Sequence, residues 1–112
     1  MQTAIIRKVQ ARDNEQIADI VYFVFEELGV PKTGTAYEDK ELNMMYEAFQ
    51  AMDRADYYVI EESNRIIGCA GIAPLANFEG NVCELQKMYF LPIARGKGLG
   101  SKLIKTCLKK AT

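Results

Sequence analysis

The chain has 112 residues, of which 49% are hydrophobic and 26% are charged, and its formal net charge is −1. This length and composition predict one globular domain with its own core rather than a disordered chain. The sequence contains no histidine. That absence excludes Ser–His and Cys–His nucleophilic sites and the usual histidine-based zinc hydrolase sites. The three cysteines lie far apart without CxxC spacing, so we expect reduced core thiols rather than disulfides or a zinc site.

The amino-terminal ten residues lack the apolar stretch of a secretion signal, and the longest apolar runs are too short to span a membrane. We therefore expect a single domain over residues 1–112, located in the cytoplasm and not associated with a membrane.

Charge is distributed unevenly along the chain. Residues 1–84 contain all 15 acidic residues and 7 basic ones, whereas residues 85–112 contain the other 7 basic residues and no acidic residue. A basic segment that includes a glycine-rich turn is typical of a phosphate site, and an acidic remainder favours a cationic second ligand. A solvated lysine face on a terminal helix would explain the last four lysines equally well.

The first half of the chain reads as a strand followed by two helices. β-Branched residues in segment 3–9 predict the strand. The first helix is predicted to begin at Asp13, a capping residue with Gln16 three positions later, and to stop at Gly29. Apolar residues recur between them on one helical face: Ile17, Ile20, Val21, Val24, Phe25 and Leu28.

A loop from Gly29 to Ala36 is followed by a second helix and a hairpin. Helical spacing of apolar residues predicts the helix: Leu42, Met45, Tyr46, Phe49 and Met52. Segments 57–61 and 65–73 are predicted to be strands joined by a polar turn. Gly68 and Gly71 inside the second strand indicate a close approach by a helix or a ligand.

Segment 82–91 is the longest strand candidate, and its alternation slips by one residue. Apolar positions alternate up to Leu85, and strict alternation would then place Lys87 on the buried face. The apolar pattern instead resumes one residue later, at Met88. One extra residue near Gln86 and Lys87, a β-bulge, restores the pattern. Such a bulge would leave backbone N–H and C=O groups free for a ligand. A charged residue on a half-exposed edge strand explains the pattern about as well.

Segment 95–101 joins this strand to a third amphipathic helix predicted to run from Leu99 to the end of the sequence. The first amides of a helix have no intrahelical acceptor and carry partial positive charge, so glycines ahead of them make an anion site. The glycine spacing does not fit a Walker loop. It does not fit a dinucleotide-binding fingerprint either, and no acidic residue follows Glu84.

Arg95, Gly98 and Gly100 instead fill the pattern (Q/R)xxGx(G/A), and the segment resembles motif A of the GNAT superfamily of acyl-CoA-dependent N-acetyltransferases. Segment 83–104 is similar throughout to the family's fourth strand, turn and third helix, and the preceding order of elements matches as well. The resemblance implies an α/β (α+β) fold with a mixed, mainly antiparallel sheet. The element order would be strand, helix, helix, three strands and helix, without the family's final strand, helix and two strands.

The resemblance further implies acetyl-CoA as cosubstrate and no metal. In the family the pantetheine arm pairs with the splayed end of the fourth strand, and the pyrophosphate lies on the loop before the third helix. Backbone contacts would then come from Met88, Tyr89 and Phe90, with an N–H near Met88 polarising the thioester carbonyl. The phosphate cradle would be the segment that follows: Arg95, Gly96, Lys97, Gly98, Leu99, Gly100 and Ser101.

The reaction implied is direct attack by a primary amine in a ternary complex, with a carboxylate accepting a proton through water. Glu84 is the candidate base, because it lies on the fourth strand where several family members carry such a glutamate; a surface glutamate at a strand start is the alternative. The family's general acid is a tyrosine from a later part of the fold. No tyrosine of this chain matches that position: Tyr22, Tyr37, Tyr46, Tyr57, Tyr58 and Tyr89.

The expected acceptor is a small-molecule or peptide amine, and four acidic residues would suit a cationic one: Glu38, Asp39, Glu41 and Glu47. We expect no nucleic-acid partner, because the basic stretch has few interleaved aromatics. An uncovered edge on the fourth strand predicts a homo-oligomer, unless the chain is a fragment of a longer one. A second hypothesis is a catalytically impaired acyl-CoA-binding or assembly module.

Overall fold

The computed structural model describes residues 4–31, 40–52, 54–74, 83–96 and 98–111. Their four strands form one antiparallel sheet in the order β1-β2-β3-β4. The strands are β1 (Ile5–Lys8), β2 (Asp56–Glu62), β3 (Arg65–Pro74) and β4 (Cys83–Phe90). The helices are α1 (Asn14–Leu28), α2 (Met45–Ala51) and α3 (Leu99–Ala111). This order confirms the predicted fold class. Residues 32–36 of the predicted loop from Gly29 to Ala36 lie outside the described residues.

The helices lie on both faces of the sheet. Alternate residues of a strand point to opposite faces, so Gly68 and Gly71 face opposite ways. A Cβ on Gly71 would meet Phe49 of α2, which places α2 on that face. A Cβ on Gly68 would meet the ring of Phe90, and that ring lies 3.5 Å from the equivalent position on Gly100 of α3. Among the described residues, helices therefore pack on both faces of the sheet.

The two ends of α1 are stabilised in different ways. Gly29 ends the helix with φ of 69°, and its N–H bonds the carbonyls of Phe25 and Glu26 as predicted. At the other end Asp13 occupies the capping position, but its side chain makes no capping bond, so that part of the prediction is wrong. Its carboxylate binds the Arg7 guanidinium instead, because a charged donor makes a stronger hydrogen bond than a helix amide.

The β2–β3 hairpin turns through Ser63 and Asn64, whose φ angles are 55° and 65°. Two successive positive φ angles match the twist of a tight hairpin, so the predicted polar turn is confirmed. No helix among the described residues is long and apolar enough to cross a membrane.

Gly71 confirms the predicted close approach by a helix, whereas at Gly68 the nearest atoms belong to the strand residues Phe90 and Ile60. A Cβ at Gly71 would lie 2.5 Å from the Tyr57 ring and 2.7 Å from the Phe49 ring. Those two rings pack against each other with centroids 4.8 Å apart. The missing side chain of Gly71 therefore lets two aromatic rings occupy the space above β3.

We expect Gly71→Ala to lower the free energy of unfolding by about 1–3 kcal/mol, because an added methyl must displace buried rings. Urea unfolding measures the change. Gly100→Ala is the control: its Cβ would lie at an ordinary 3.5 Å from Phe90, within a helix. Alanine is a better helix former than glycine, so this control should be neutral or stabilising. Equal destabilisation by both variants would contradict the steric explanation.

Candidate functional site

The predicted bulge is present in β4. Cys69 of β3 pairs with Tyr89, while Gly71 pairs with Gln86, so two residue steps on β3 oppose three on β4. The extra residue lies at Lys87, whose φ of 51° is in the left-handed region. A non-glycine residue adopts this conformation rarely, and it twists the strand away from its partner. The alternative of an unbroken edge strand with one exposed charge is wrong.

The residues before the bulge place the candidate base on the face that carries α1 and α2. Glu84 pairs with Ala73 and Gln86 pairs with Gly71, and both partners lie on that face. The two side chains meet there, since the Gln86 amide donates to Glu84 Oε1 at 2.7 Å. Glu84 is exposed. Its carboxylate thus accepts a hydrogen bond from a neighbour, is accessible to water, and lies on the same face as α1 and α2.

The residues after the bulge run along the last strand of the sheet as described. Met88 is 40% exposed. Tyr89 is half-buried, with its ring edge-on to Phe25 of α1 at a centroid distance of 5.8 Å. Phe90 turns to the other face, where its ring lies beside Gly100. The segment is therefore anchored by its rings to both helical layers while Met88 stays at the surface.

The turn between β4 and α3 is built on left-handed glycines. Gly96 and Gly98 have φ of 78° and 74°, and a Cβ on either would have no atom within 4 Å. Leu99 is buried and anchors the first turn of α3, whereas Ser101 is exposed. Lys97 lies outside the described residues. The positive φ angles favour glycine at both positions, and the space beside each glycine is open.

The start of α3 has unpaired amide donors by its position. The carbonyl of Gly98 accepts the first helical hydrogen bond, from Lys102 N–H at 3.2 Å. The amides of Leu99, Gly100 and Ser101 precede that bond and have no intrahelical acceptor. Within the described parts of the chain, no side chain hydrogen-bonds these three amides. Together with the glycine turn they form a positively polarised surface that suits a phosphate.

Arg95 connects this turn to two other elements. Its guanidinium donates to both carboxylate oxygens of Glu27 on α1, at 2.6 and 3.1 Å, and to the Phe90 carbonyl at 2.7 Å. The hydrogen bonds from Arg95 lower the pKa of Glu27. The predicted phosphate ligand is therefore engaged by an acidic residue that the sequence did not single out. Glu27 and Arg95 are 68 positions apart, and no sequence pattern links them.

The thiols of Cys69 and Cys107 are free and buried, which confirms the prediction for these two cysteines. Burial raises the pKa of Cys69 to about 12 and that of Cys107 to about 11, so both stay protonated at neutral pH. Among the described residues, no group of three or more His, Cys, Asp or Glu could hold a metal ion.

Two surface clefts lie away from the bulge. One of about 230 Å³ lies between α2 and the strands β1 and β2, next to Tyr46 and Tyr57. The other, of about 210 Å³, lies beside α1 near Phe23 and Leu91. Neither is lined by the bulge or by segment 95–101, so the candidate site is an open strand edge with a glycine turn rather than either cleft.

The acetyltransferase (GNAT) family model matches residues 20–112. The chain belongs to the GNAT family. A curated relative, the uncharacterized N-acetyltransferase YjgM of Escherichia coli strain K12, is 38% identical over 111 residues. That alignment covers 98% of this chain and 66% of YjgM, so the chain spans just under two thirds of this relative's length.

Solved GNAT structures have the same fold. A GNAT acetyltransferase from Staphylococcus aureus Mu50 matches with a TM-score of 0.80 at 15% identity, over 97% of this chain and 66% of its own. A predicted acetyltransferase from Clostridium acetobutylicum, solved with acetyl-CoA, matches with a TM-score of 0.75 at 22% identity, over 97% and 73%. A GNAT acetyltransferase from Brucella melitensis, in complex with acetyl-CoA, matches with a TM-score of 0.70 at 24% identity, over 97% of this chain and 68% of its own.

Proposed function

We propose that this chain binds acetyl-CoA and transfers its acetyl group to a primary amine by direct attack in a ternary complex. The observation that carries the proposal is the bulge at Lys87 in a strand that leads directly into a glycine turn and a helix N-terminus. Membership of the GNAT family supports acetyl transfer as the class of reaction. Acceptors in that family are small-molecule or peptide amines, and we propose an acceptor of this kind here.

The phosphate end of acetyl-CoA fits segment 95–101. A diphosphate needs several N–H donors and an approach free of side chains, and the open space beside Gly96 and Gly98 supplies the latter. The amides at the start of α3 supply the donors. Lys102 and Lys105 are exposed on the same helix and add positive charge. We propose Arg95 as a residue that fixes the turn as well as a phosphate ligand, since its guanidinium also binds Phe90 and Glu27.

The pantetheine arm fits the edge of β4 after the bulge. The backbone of Met88, Tyr89 and Phe90 would pair with the arm as an added strand does, through main-chain hydrogen bonds. Bound acetyl-CoA supplies an activated acyl group with a good leaving thiolate. The N–H of Met88 is proposed to donate to the thioester carbonyl and so stabilise the negative charge that develops on its oxygen.

Glu84 is proposed as the general base. A primary amine is mostly protonated at neutral pH and must lose a proton before or during attack. The exposed carboxylate of Glu84, steadied by Gln86 on the helix-covered face that would receive the acceptor, can accept that proton through a water molecule. We assign no general acid from the residues of this chain.

Four further expectations stay predictions: the cytoplasmic location, the homo-oligomer, the absence of a metal requirement and the absence of a nucleic-acid partner. Exposed Leu85 and Met88 on the last described strand are consistent with a partner at that edge. Sedimentation at micromolar protein concentration tests the oligomer, and a stable monomer would contradict it.

The test of the function is release of free thiol from acetyl-CoA with a panel of amines, alongside calorimetric binding of CoA. We expect binding and amine-dependent release. Glu84→Gln should lower kcat/KM about a hundredfold, within the range for general base catalysis, and leave CoA affinity unchanged. Glu62→Gln, at the opposite end of the sheet, is the matched control and should behave as wild type.

Equal rates in the Glu84→Gln and Glu62→Gln variants would contradict the base assignment. Binding of CoA without thiol release for any amine would favour the second hypothesis, an acyl-CoA-binding module without turnover. Failure to bind CoA at all would contradict both.

A further inference from the structure

A hydroxyl from another strand reaches the peptide bond at the bulge. Tyr57 lies on β2, two strands away from β4, and is 1% exposed. Its hydroxyl donates to the carbonyl of Lys87 at 2.6 Å. Tyrosine is the only residue type whose hydroxyl lies far enough from its own backbone to reach past a neighbouring strand. The contact is made at Lys87, the one residue of β4 that has positive φ. The bulge is therefore held by a specific buried donor.

Gly71 makes this contact possible. It lies between Tyr57 and Gln86 in the pairing across β2, β3 and β4. Its missing side chain lets the Tyr57 ring lie against β3 on the way to β4, since any Cβ would approach the ring to 2.5 Å. Phe49 of α2 packs against the same ring, with centroids 4.8 Å apart. The hydroxyl is consequently fixed in position by packing, independently of the hydrogen bond that it makes.

The orientation of the Lys87 carbonyl determines where the next amide points. The chain has no cis peptide bond in its described parts, so the C=O of Lys87 and the N–H of Met88 point in opposite directions from one planar peptide. The carbonyl points toward Tyr57, that is, back toward β2. The N–H of Met88 therefore points away from β2 and β3. Since β4 is the last strand of the described sheet, this direction is toward its open edge.

We propose that Tyr57 is a positioning residue: through the Lys87 carbonyl it fixes the Lys87–Met88 peptide so that the Met88 N–H faces the thioester carbonyl of bound acetyl-CoA. This inference rests on the proposed function. Tyr57 touches neither acetyl-CoA nor the amine, and its effect passes through one peptide plane. Rotation of that plane would remove the donor from the oxyanion position while leaving the rest of the site in place.

Two physical effects support the assignment. Burial raises the pKa of Tyr57 well above its ordinary value, so the hydroxyl remains a donor throughout the working pH range. A hydrogen bond accepted by a peptide carbonyl also polarises the N–H of the same peptide, which makes that N–H a better donor. Tyr57 thus both orients and strengthens the group proposed to polarise the substrate.

The neighbouring Tyr58 provides a matched control. It lies on the same strand, is also buried, and its hydroxyl has no hydrogen-bond partner among the described residues. Tyr57→Phe and Tyr58→Phe therefore remove the same atom from adjacent buried positions, but only the first removes a hydrogen bond. Each variant keeps the aromatic ring, so packing is retained, and thermal unfolding verifies that both are folded.

The first measurement uses the free protein and no ligand. In amide-resolved NMR spectra, Tyr57→Phe should shift the Met88 N–H resonance, whereas Tyr58→Phe should leave it unchanged. An unchanged Met88 resonance in a folded Tyr57→Phe variant would overturn the proposal. This readout does not depend on whether the chain binds acetyl-CoA.

The second measurement detects the hydrogen bond at the thioester carbonyl of bound acetyl-CoA. With [1-13C]acetyl-CoA bound, the infrared stretch of the thioester carbonyl should move to lower frequency in wild type and in Tyr58→Phe, and return toward the free value in Tyr57→Phe. Loss of orientation should lower kcat about tenfold, less than complete removal of an oxyanion donor, with KM for acetyl-CoA nearly unchanged. A rise in KM at constant kcat would instead indicate a role in binding and overturn the positioning role. If wild type bound no acetyl-CoA, the proposed function would fail while the NMR result still stood.

Discussion

Replacement of Asp13 by asparagine is expected to lower the free energy of unfolding by about 3–5 kcal/mol, the cost of breaking one side of a buried ion pair. The Asp13 side chain is 2% exposed and that of Arg7 is 17% exposed. The pair is bidentate, with N–O distances of 2.8 and 2.9 Å, and the amide of Gln10 adds a third bond at 2.7 Å. Asparagine would place an N–H₂ group against these donors and leave the guanidinium with Glu61 as its remaining counter-charge.

The effect should be large because this pair joins three parts of the fold. Arg7 lies on β1 and also donates to Glu61 on β2 at 3.1 Å, while Asp13 lies just before α1. A domain of this kind has a total stability of about 5–15 kcal/mol, so the loss would bring the variant close to unfolding. Urea unfolding at neutral pH is the measurement.

The matched control is the same substitution in an exposed pair. Asp56 on β2 binds Lys8 on β1 at 3.2 Å, but the two side chains are 36% and 62% exposed. Exposed pairs contribute about 0–1 kcal/mol, so Asp56→Asn should change stability by no more than that. Similar losses in the two variants would contradict the view that burial determines the cost.

The Asp13 contribution should also depend on pH in a defined direction. Burial tends to raise the pKa of Asp13, but hydrogen bonds from Arg7 and from the Gln10 amide outweigh it and lower the pKa below its ordinary value. A carboxyl with a lowered pKa in the folded state stabilises the protein above its unfolded pKa, which is about 4. The difference between wild type and Asp13→Asn should therefore be constant above about pH 5 and shrink as the pH falls through the folded pKa. A difference independent of pH down to acid unfolding would argue against the charged pair.

The same residue illustrates what sequence can and cannot predict. Asp13 followed by Gln16 has the composition of a helix cap, and the helix does begin there. A carboxylate that caps a helix and one that binds a distant arginine look identical in sequence, because the choice depends on which donor the fold brings nearest. Arg7 is that donor because the turn between β1 and α1 brings its guanidinium to the Asp13 carboxylate.

The sequence likewise predicted some features of the candidate site and not others. The bulge could be predicted because a one-residue slip in alternation has a direct structural cause, and the glycine turn because positive φ favours one residue type. Two contacts could not be predicted, because each joins residues far apart in the sequence. Tyr57 and Lys87 are 30 positions apart, and Glu27 and Arg95 are 68 positions apart. Gly71 was the only local signal of the first contact: it indicated a close approach without naming the ring that makes it.

Substitution of alanine for Gly98 is expected to weaken CoA binding about ten- to a hundredfold, which equals the loss of about one charge-assisted hydrogen bond. Gly98 has φ of 74°, and its carbonyl accepts the first helical bond of α3. An alanine at this φ costs about 1–2 kcal/mol, so the turn would relax and move the amides of the helix start away from the diphosphate. Calorimetric titration with CoA measures the loss.

Gly29 offers a control with the same backbone strain at a different place. It has φ of 69° at the end of α1, and, as at Gly98, an added Cβ would have no atom within 4 Å. Gly29→Ala and Gly98→Ala should therefore destabilise the fold by similar amounts, while only Gly98→Ala should weaken CoA binding. Because the two variants share the cost of a left-handed alanine, a difference in CoA affinity can be assigned to the phosphate cradle. Equal CoA affinity in the two variants would mean that the turn before α3 does not hold the diphosphate.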